Sequence, residues 1–462
     1  MAPSMTYSLV DVLAVAEMHP FYAHAQYPPD DEAIYAAREK AALVSQEPNL
    51  RSQPVLRKKD LYTVIERLVN DTSPKNTYRH NVYTSVTGGG STLSRPLFFA
   101  TDALENRRHR AYFGEFLKNT GLIKRGDWVL TTHCGGSLYR SLDLTLEIME
   151  NAGASVLAAG NYSPLAEIVH LLQEFNVNVL TGDGSQIVSV VHHISTLAEG
   201  RENIKLDKII YTSEGLTVVQ RAHIHAVLGP VKICSVLGSA EAGPYGVSSP
   251  DLTPSDPGAD YNDFIIDTRM TLIEILPLSY TDTEGDSIPE LLPNGETGVI
   301  AQTVLTRLRN PVVRYLTGDV GSLHYLPEQS RSLISQADCP YLRILRLRGR
   351  DRRFSFMWDG FDTRFDILTT LLSEPELEVL QWQVILDKME PSLEILLEIR
   401  LLCSQRMEDA ASRQAVVDRV RKFFNVYVSN ENRFKITFVD GVSGFELSKT
   451  GHKVIKFVDR ST

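Results

Sequence analysis

Residues 127–136 read DWVLTTHCGG, a short apolar segment followed at once by a loop of histidine, cysteine and glycine. An apolar run bounded by turn residues predicts a buried β-strand over 127–132. The pattern recurs downstream, with strands predicted at 154–159, 178–181, 208–212 and 232–236, and helices at 138–151, from 163 onward, at 187–197 and at 218–228. Short apolar strands alternating with helices predict an α/β fold on a parallel sheet covered on both faces.

The loops that follow these strands are the first candidates for a binding site. Ligands of parallel sheets bind beyond the carboxyl ends of the strands. In this chain the loops at those ends span 133–137, 160–162, 182–184, 213–215 and 238–244, and each carries glycine or a polar group. Cys134 beside His133 also has the composition of a nucleophilic pair, although a packed thiol and a capping imidazole explain the same context.

The rest of the chain has different patterns. Residues 7–70 and 102–117 are predicted to be mainly helical, and 263–305 has the short extended segments of an antiparallel β subdomain. After residue 361, helices at 365–372 and 411–424 and apolar alternations at 377–386 and 393–401 predict a small α+β unit. We place a hinge at Gly349-Arg350-Asp351, so that a large domain, 1–348, precedes a small mobile C-terminal domain, 349–462.

Composition narrows the class of protein. The 462 residues include 47 Lys and Arg against 57 Asp and Glu, and this net charge of -10 disfavours a nucleic-acid binder. Hydrophobic residues at 43% and charged residues at 23% are typical of a soluble globular protein. The four cysteines are too far apart for a C-x-x-C motif. Because no leader or long apolar run occurs, we expect a cytoplasmic protein without a membrane partner, monomeric or homodimeric.

A glycine-rich stretch, NVYTSVTGGGSTLSRP, occupies residues 81–96. Its hydroxyl residues and three consecutive glycines suit a loop wrapped around phosphate, because both supply N–H and O–H donors. The residues concerned are Thr84, Ser85, Thr87, Gly88, Gly89 and Gly90. No lysine follows in the spacing of a Walker P-loop, and a flexible surface loop has the same composition.

Three further motifs carry groups suited to nucleotide chemistry. Asp319 ends RYLTGD (314–319), where a carboxylate can accept from ribose hydroxyls or cap its own turn. Arg314, five residues earlier, can meet phosphate or a structural carboxylate. Glu241, after Gly238-Ser239-Ala240, suits Mg2+ bound to phosphate, or a helix cap. The tail lysines Lys449, Lys453 and Lys456 offer positive charge for a developing phosphate charge, or a solvated terminus.

Taken in order, these motifs resemble the adenylate-forming superfamily, and within it the phenylacetate-CoA ligase branch. The resemblance covers nearly the whole chain and implies a reaction in two steps. A carboxylate attacks the α-phosphate of ATP to give an acyl adenylate and pyrophosphate, and coenzyme A then displaces AMP. An aromatic or related organic acid is the implied substrate, and the small domain would rotate between the steps.

The resemblance also assigns roles to residues. Thr84, Ser85, Thr87 and Gly88 to Gly90 would grip the β- and γ-phosphates, Glu241 would act in catalysis and hold Mg2+, and Lys453 would be the catalytic lysine. The rest of the nucleotide site would comprise Ser213, Glu214, Gly238, Ser239, Asp319 and Arg350. By the rule that ligands bind at the strand ends, the acyl pocket would be lined by His133, Cys134, Gly136, Asp183, Ser213, Gly238 and Ala242.

Several positions depart from the family pattern. In the phosphate loop Val86, Gly88 and Gly90 stand where the family has glycine, threonine and lysine. Leu237 replaces the aromatic residue expected against adenine, and Arg352 replaces an acidic residue after the hinge. Two alternatives therefore stay open: an amide-forming ligase that does not use coenzyme A, and a nucleotide-binding protein that has lost catalysis.

Overall fold

The computed structural model of the chain describes residues 5–43, 48–86, 98–136, 138–213, 215–254, 261–281, 290–350, 355–359, 361–389, 395–404, 410–428, 430–448 and 453–461. Its helices are α1 (Leu9–Ala16), α2 (Asp31–Ala42), α3 (Lys58–Asn70), α4 (Ala103–Asn119), α5 (Ser141–Asn151), α6 (Leu165–Glu174), α7 (Gly184–Thr196), α8 (Val218–Leu228), α9 (Glu328–Arg331), α10 (Phe365–Leu372) and α11 (Ala410–Phe423). None of the helices within these ranges is long and apolar enough to cross a membrane.

The strands are β1 (Val82–Val86), β2 (Phe98–Asp102), β3 (Trp128–Thr131), β4 (Ser155–Ala158), β5 (Val179–Asp183), β6 (Lys208–Thr212), β7 (Lys232–Ser239), β8 (Gly243–Ser248), β9 (Asn262–Asp267), β10 (Thr271–Leu276), β11 (Gly298–Val304), β12 (Tyr315–Tyr325), β13 (Leu342–Arg350), β14 (Ser355–Trp358), β15 (Phe361–Arg364), β16 (Val379–Lys388), β17 (Ile395–Cys403), β18 (Phe434–Phe438) and β19 (Phe457–Asp459).

The predicted parallel sheet is confirmed, and it is part of a larger sheet. Eleven strands pair in the order β10-β11-β12-β13-β9-β8-β7-β6-β5-β3-β4, of which β7-β6-β5-β3-β4 run parallel. The antiparallel strands predicted as a β subdomain belong to this same sheet. The pairing changes from parallel to antiparallel at β8, where Gly243, at φ +74°, lets the chain turn back onto β7. A positive φ of this kind costs glycine little.

Side chains that alternate along the parallel strands fill two cores, one on each face of the sheet. Val129 packs into the core shared with α4 and α5, whereas the next residue, Leu130, packs into the core shared with α6, α7 and α8. Val179 and Leu180 of β5 divide in the same way. The period of two residues thus accounts for a sheet that is apolar on both faces.

The C-terminal unit has its own four-stranded sheet, in the order β18-β17-β16-β19. Its core contains Trp358, Leu368, Val384 and Val416. Four further residues of this unit, Leu380, Leu402, Phe445 and Val454, pack instead into the α6–α8 core of the large sheet. The small unit is therefore docked on the large one; its mobility and the boundary at 348/349 stay predictions.

Candidate active site

Polar side chains from three strand ends meet at one edge of the sheet. His133 Nε2 lies 3.0 Å from Thr212 Oγ1, and Thr212 Oγ1 donates to Asp183 Oδ1 over 3.1 Å. Ser213 Oγ donates to the same carboxylate oxygen over 2.6 Å. We call His133, Asp183, Thr212 and Ser213 the strand-end cluster. Three of the seven residues predicted for the acyl pocket are thereby brought into one hydrogen-bonded group.

Ser213 holds an unusual backbone conformation in this cluster, with φ at +77°. A non-glycine residue at positive φ costs on the order of 1–2 kcal/mol, and such residues concentrate at functional sites. In this conformation the hydroxyl of Ser213 donates to Asp183, accepts from Lys453 and lies 3.2 Å from the hydroxyl of Thr212.

Lys453 reaches the strand-end cluster from the C-terminal unit. Its Nζ donates to Ser213 Oγ over 2.6 Å, lies 3.5 Å from Asp183 Oδ1 and sits 5.4 Å from the centre of the Tyr139 ring. The backbone of Lys453 is fixed by two hydrogen bonds with Ser448, of 2.8 and 3.1 Å. A lysine 240 residues away in sequence from Ser213 therefore enters the predicted site.

The carboxylate that faces Lys453 is ionised. Asp183 is 1% exposed, and burial acts to raise its pKa. Lys453, His133 and the hydroxyls of Ser213 and Thr212 outweigh burial, so the pKa lies below its usual 3.8. The pair thus places an ammonium group and a carboxylate side by side at the carboxyl ends of β5 and β6.

Cys134 and His133 lie side by side without the properties of a nucleophilic pair. Burial raises the pKa of the Cys134 thiol to about 12 and lowers the pKa of His133 to about 4. The His133 ring nitrogens lie 3.0 Å from the hydroxyls of Thr131 and Thr212, and Gln186 Nε2 donates to Cys134 Sγ over 3.5 Å. The thiol is buried and unreactive by these measures, as the alternative interpretation of a packed thiol held.

For the reaction that the motif resemblance implies, replacing Cys134 by alanine is therefore expected to leave the rate nearly unchanged. We predict acid-dependent pyrophosphate release within about threefold of the unaltered protein, with a loss of about 1 kcal/mol of stability from the deleted sulfur. Cys234→Ala, another buried free thiol, is the matched control for stability. Loss of activity in Cys134→Ala, but not in Cys234→Ala, would show that the thiol takes part in the chemistry.

A second cluster surrounds Glu241, in the turn between β7 and β8 at the same edge. Glu241 is 7% exposed, and its Oε1 accepts from the hydroxyls of Tyr315 over 3.0 Å and of Tyr62 over 3.4 Å. Burial followed by the charge of Glu241 raises the pKa of Tyr315, which keeps the phenol a donor. Because Thr212 of β6 pairs with Val236 of β7, this cluster and the strand-end cluster share one edge.

The turn that carries Glu241 is tightly built. A Cβ on Gly238 would lie 2.9 Å from Pro244 Cα, so glycine is required there. Ser239 Oγ accepts from the amide of Ala242 over 3.0 Å, and Arg307 Nη2 donates to the Ala240 carbonyl over 3.4 Å. The predicted residues Gly238, Ser239 and Ala242 therefore shape and fix the turn, and Ala242 is buried.

Asp319 lies near a tyrosine that Glu241 also approaches. Its amide donates to Thr317 Oγ1 over 3.1 Å, and both carboxylates contribute to the raised pKa of Tyr245, whose first cause is burial. Asp319 pairs across the sheet with Arg350, the predicted hinge residue. Arg314 does not face this cluster: it is buried, and its Nε donates to Glu274 over 2.9 Å. Of the two interpretations of Arg314, the structural carboxylate is the correct one.

Part of the predicted phosphate grip lies outside the described residues, namely Thr87, Gly88, Gly89 and Gly90, and so does Glu214. Thr84 and Ser85 lie on β1, which pairs antiparallel with β2. Gly136 adopts φ +89°, and its carbonyl accepts from the Tyr139 amide over 2.8 Å.

Sequence reasoning missed Tyr62, Tyr139, Tyr315 and Thr212. Of these, Tyr315 could have been identified from the sequence, because it belongs to the RYLTGD motif. Tyr62 lies on α3, 179 residues before Glu241 in sequence, and no local pattern marks it. Among the described residues no three His, Cys, Asp or Glu side chains gather into a metal-binding group.

The large mixed sheet and the docked C-terminal unit form the fold of the adenylate-forming ligases. The resemblance read from the motifs is thus confirmed at the level of the fold, while the phenylacetate-CoA ligase branch stays a prediction. 2-Hydroxyisobutyryl-CoA ligase in the postadenylation state, in complex with R3-HIB-AMP, superposes with a TM-score of 0.64 at 17% identity, over 98% of this chain and 88% of that one. In the thioesterification state, with 2-HIB-AMP and CoA, the TM-score is 0.55 at 17% identity over the same shares of the two chains.

In sequence, the chain is 27% identical over 191 residues to indoleacetate–lysine synthetase of Pseudomonas savastanoi. This match spans 40% of the chain and 40% of the length of that protein. No protein-family model matches the chain.

Proposed function

We propose that the chain is an ATP-dependent ligase that activates an organic carboxylate as its acyl adenylate, with release of pyrophosphate, and then passes the acyl group to an acceptor. One observation carries the proposal: Lys453 of the C-terminal unit donates to Ser213 at the carboxyl ends of the large-sheet strands. The higher TM-score with the postadenylation form of a structural relative is in accord with this arrangement.

The chain's own groups suit the first step. A carboxylate oxygen attacks the α-phosphorus, a P–O bond forms, and the bond to the leaving pyrophosphate breaks. Lys453 would donate to the reacting oxygens and offset the negative charge that gathers there. The cluster of His133, Asp183 and Ser213 would orient the lysine before the substrates bind, and the wall made by Cys134, Gly136 and Ala242 would hold the acyl group.

Glu241 fits the role of a magnesium ligand. Tyr315 and Tyr62 donate to its Oε1, whereas its Oε2 accepts no hydrogen bond from the described residues. Magnesium in proteins is held by one or two carboxylates together with substrate phosphate oxygens. The ion would offset charge on the triphosphate. Asp319 would accept from the ribose hydroxyls, and Thr84 and Ser85 lead into the loop that would contact the phosphates.

Coenzyme A is the acceptor that the motifs favour, and an amine is the second candidate. The second candidate rests on the sequence match to a protein named for joining indoleacetate and lysine, and on the altered post-hinge residue Arg352. Both candidates share the adenylate and differ only in the nucleophile that displaces AMP.

The test is to incubate the protein with ATP, Mg2+ and a panel of aryl and aliphatic acids, and to follow pyrophosphate. Coenzyme A or free amines are then added, and the products are identified by mass spectrometry. A thioester supports the first candidate, and an amide without a thioester replaces it by the second. If no acid gives pyrophosphate, and Lys453→Ala behaves like the unaltered chain, both ligase candidates are excluded. The remaining hypothesis is then a nucleotide-binding protein that has lost catalysis.

Asp183 would act as a positioning residue for Lys453. Replacing it by asparagine keeps the shape but removes the counter-charge 3.5 Å from Nζ. We expect kcat for adenylation to fall about tenfold while KM for ATP changes less than about twofold. The loss of a nearby carboxylate disfavours the ammonium form, so the alkaline limb of the pH profile should move to lower pH. An unchanged pH profile would contradict the positioning role.

A further inference from the structure

A groove of about 440 Å3 lies between the N-terminal ends of α2 and α4, and it shares no residue with the two clusters of the candidate active site. Its walls carry unusual charge for a surface groove: Asp31, Glu105 and Arg108 line it together with the Asp102–Arg309 pair. Its volume falls in the range of small-molecule sites.

Glu105 is a buried residue of the groove whose two carboxyl oxygens have different surroundings. The residue is 6% exposed, and its Oε1 accepts from the amides of Leu308 and Arg309 over 3.1 and 3.2 Å. Its Oε2 is buried and accepts no hydrogen bond of good geometry from the described residues. The hydroxyl of Tyr7 lies beside the carboxyl group and acts to lower the pKa of Glu105. A buried carboxylate oxygen without a donor costs free energy unless a ligand supplies one.

Three other charged residues of the groove already form ion pairs. Asp102 caps α4 and pairs with Arg309 over 2.9 Å, and Arg38 pairs with Asp11 over 2.9 Å. No ion pair within the described ranges involves Glu105 or Arg108. These two lie three residues apart on α4, hence on the same face of the helix. The Tyr7 hydroxyl accepts from Arg108 over 3.4 Å. Burial, followed by the charge of Glu105, raises the pKa of Tyr7, and the charge of Arg108 acts to lower it.

We propose that this groove binds a free amino acid, whose ammonium group is taken by Glu105 and whose carboxylate is taken by Arg108. The two charges of an α-amino acid are separated by a few ångströms, which suits a carboxylate and a guanidinium that face one groove from successive turns of a helix. A bare cation would leave Arg108 without a partner, and a simple anion would face the buried carboxylate of Glu105.

The test is isothermal titration calorimetry on the full chain with glycine, L-alanine, L-lysine and L-glutamate as probes, and with methylammonium and acetate as probes of one charge each. At least one amino acid should bind with one site per chain, about tenfold or more tightly than either single-charge probe. Glu105→Gln and Arg108→Gln should each weaken it about tenfold or more. The control is Arg107→Gln, at the exposed position just before Arg108 on α4. This substitution should change the affinity for the amino acid less than about twofold.

Two further measurements separate this site from the strand ends and from a folding defect. Lys453→Ala should bind the same amino acid unchanged. The amide of Glu105→Gln can still accept from Leu308 and Arg309, and Arg108 is on the surface, so both variants should melt like the parent. No binding by any of the four amino acids, or binding that survives both substitutions, would overturn the proposal. If Lys453→Ala no longer binds the amino acid, the binding site lies at the strand ends and the proposal for the groove is wrong.

The pH dependence gives an independent readout. Burial, with the charge of Asp102, raises the pKa of Glu105 to about 7, against the amides of Leu308 and Arg309. The carboxylate form takes the ammonium group, so affinity should rise about tenfold from pH 6 to pH 8. Other titratable or charged groups also face the groove, namely Tyr7, His80, Arg38 and Arg108. Glu105→Gln is therefore the reference variant, and its remaining affinity should not increase between pH 6 and pH 8.

Discussion

Replacing Lys453 by alanine is expected to reduce acid-dependent pyrophosphate release by about 10²- to 10³-fold. The ammonium group is the one cation that the structure brings to Asp183 and Ser213 within the described ranges. Without it, no described residue of the C-terminal unit would offset charge on the reacting oxygens. The measurement is pyrophosphate release with a saturating acid, ATP and Mg2+, together with ATP affinity by titration.

Lys456→Ala is the matched control. Lys456 also belongs to the tail, but its Nζ donates to Gln381 and lies 4.7 Å from the centre of the Trp382 ring, within the C-terminal unit. Its removal should leave pyrophosphate release within about threefold. ATP affinity of Lys453→Ala should stay within a similar factor, because the lysine would act on the transition state. Equal losses in the two variants would show that docking of the tail, and not the Lys453 charge, is what matters.

Replacing Glu241 by glutamine should be comparably severe. The amide can accept from Tyr315 and Tyr62 as the carboxylate does, so the fold should survive. It removes the negative charge that would hold the magnesium of the ATP complex. We expect pyrophosphate release to fall by about 10²-fold at fixed Mg2+, with the Mg2+ concentration for half-maximal rate raised about tenfold.

Glu66→Gln serves as the control for Glu241. Glu66 lies on the exposed side of α3, one turn from Tyr62, so its change should leave both the rate and the Mg2+ dependence as they are. Tyr315→Phe adds a finer comparison, since it removes the shorter of the two hydrogen bonds to Glu241 and should produce a smaller loss. A Glu241→Gln variant with an unchanged Mg2+ dependence would rule out the metal role.

Elements set by local chemistry were predictable to the residue. Helix α8 occupies 218–228 as predicted. Thr217 and Gln220 form a capping box at its N-terminus, and this motif depends only on residues close together in sequence. The predicted helix at 138–151 begins only at Ser141, because Leu138 adopts φ +64°. That conformation follows from how the loop packs at the strand ends and leaves no mark in the sequence.

By itself, the sequence determined the alternation of strands and helices, the parallel sheet with loops at its carboxyl ends, and the motifs that carry Glu241, Asp319 and Lys453. These depend on periodicity and on residue type, which are local properties. The tertiary structure decided which groups meet. It alone pairs Lys453 with Asp183, 270 residues apart, gives Glu241 its two tyrosines and turns Arg314 toward Glu274. It also brings the amides of Leu308 and Arg309 to one oxygen of Glu105. Contacts between distant segments depend on how whole elements pack, and packing is a property of the assembled fold.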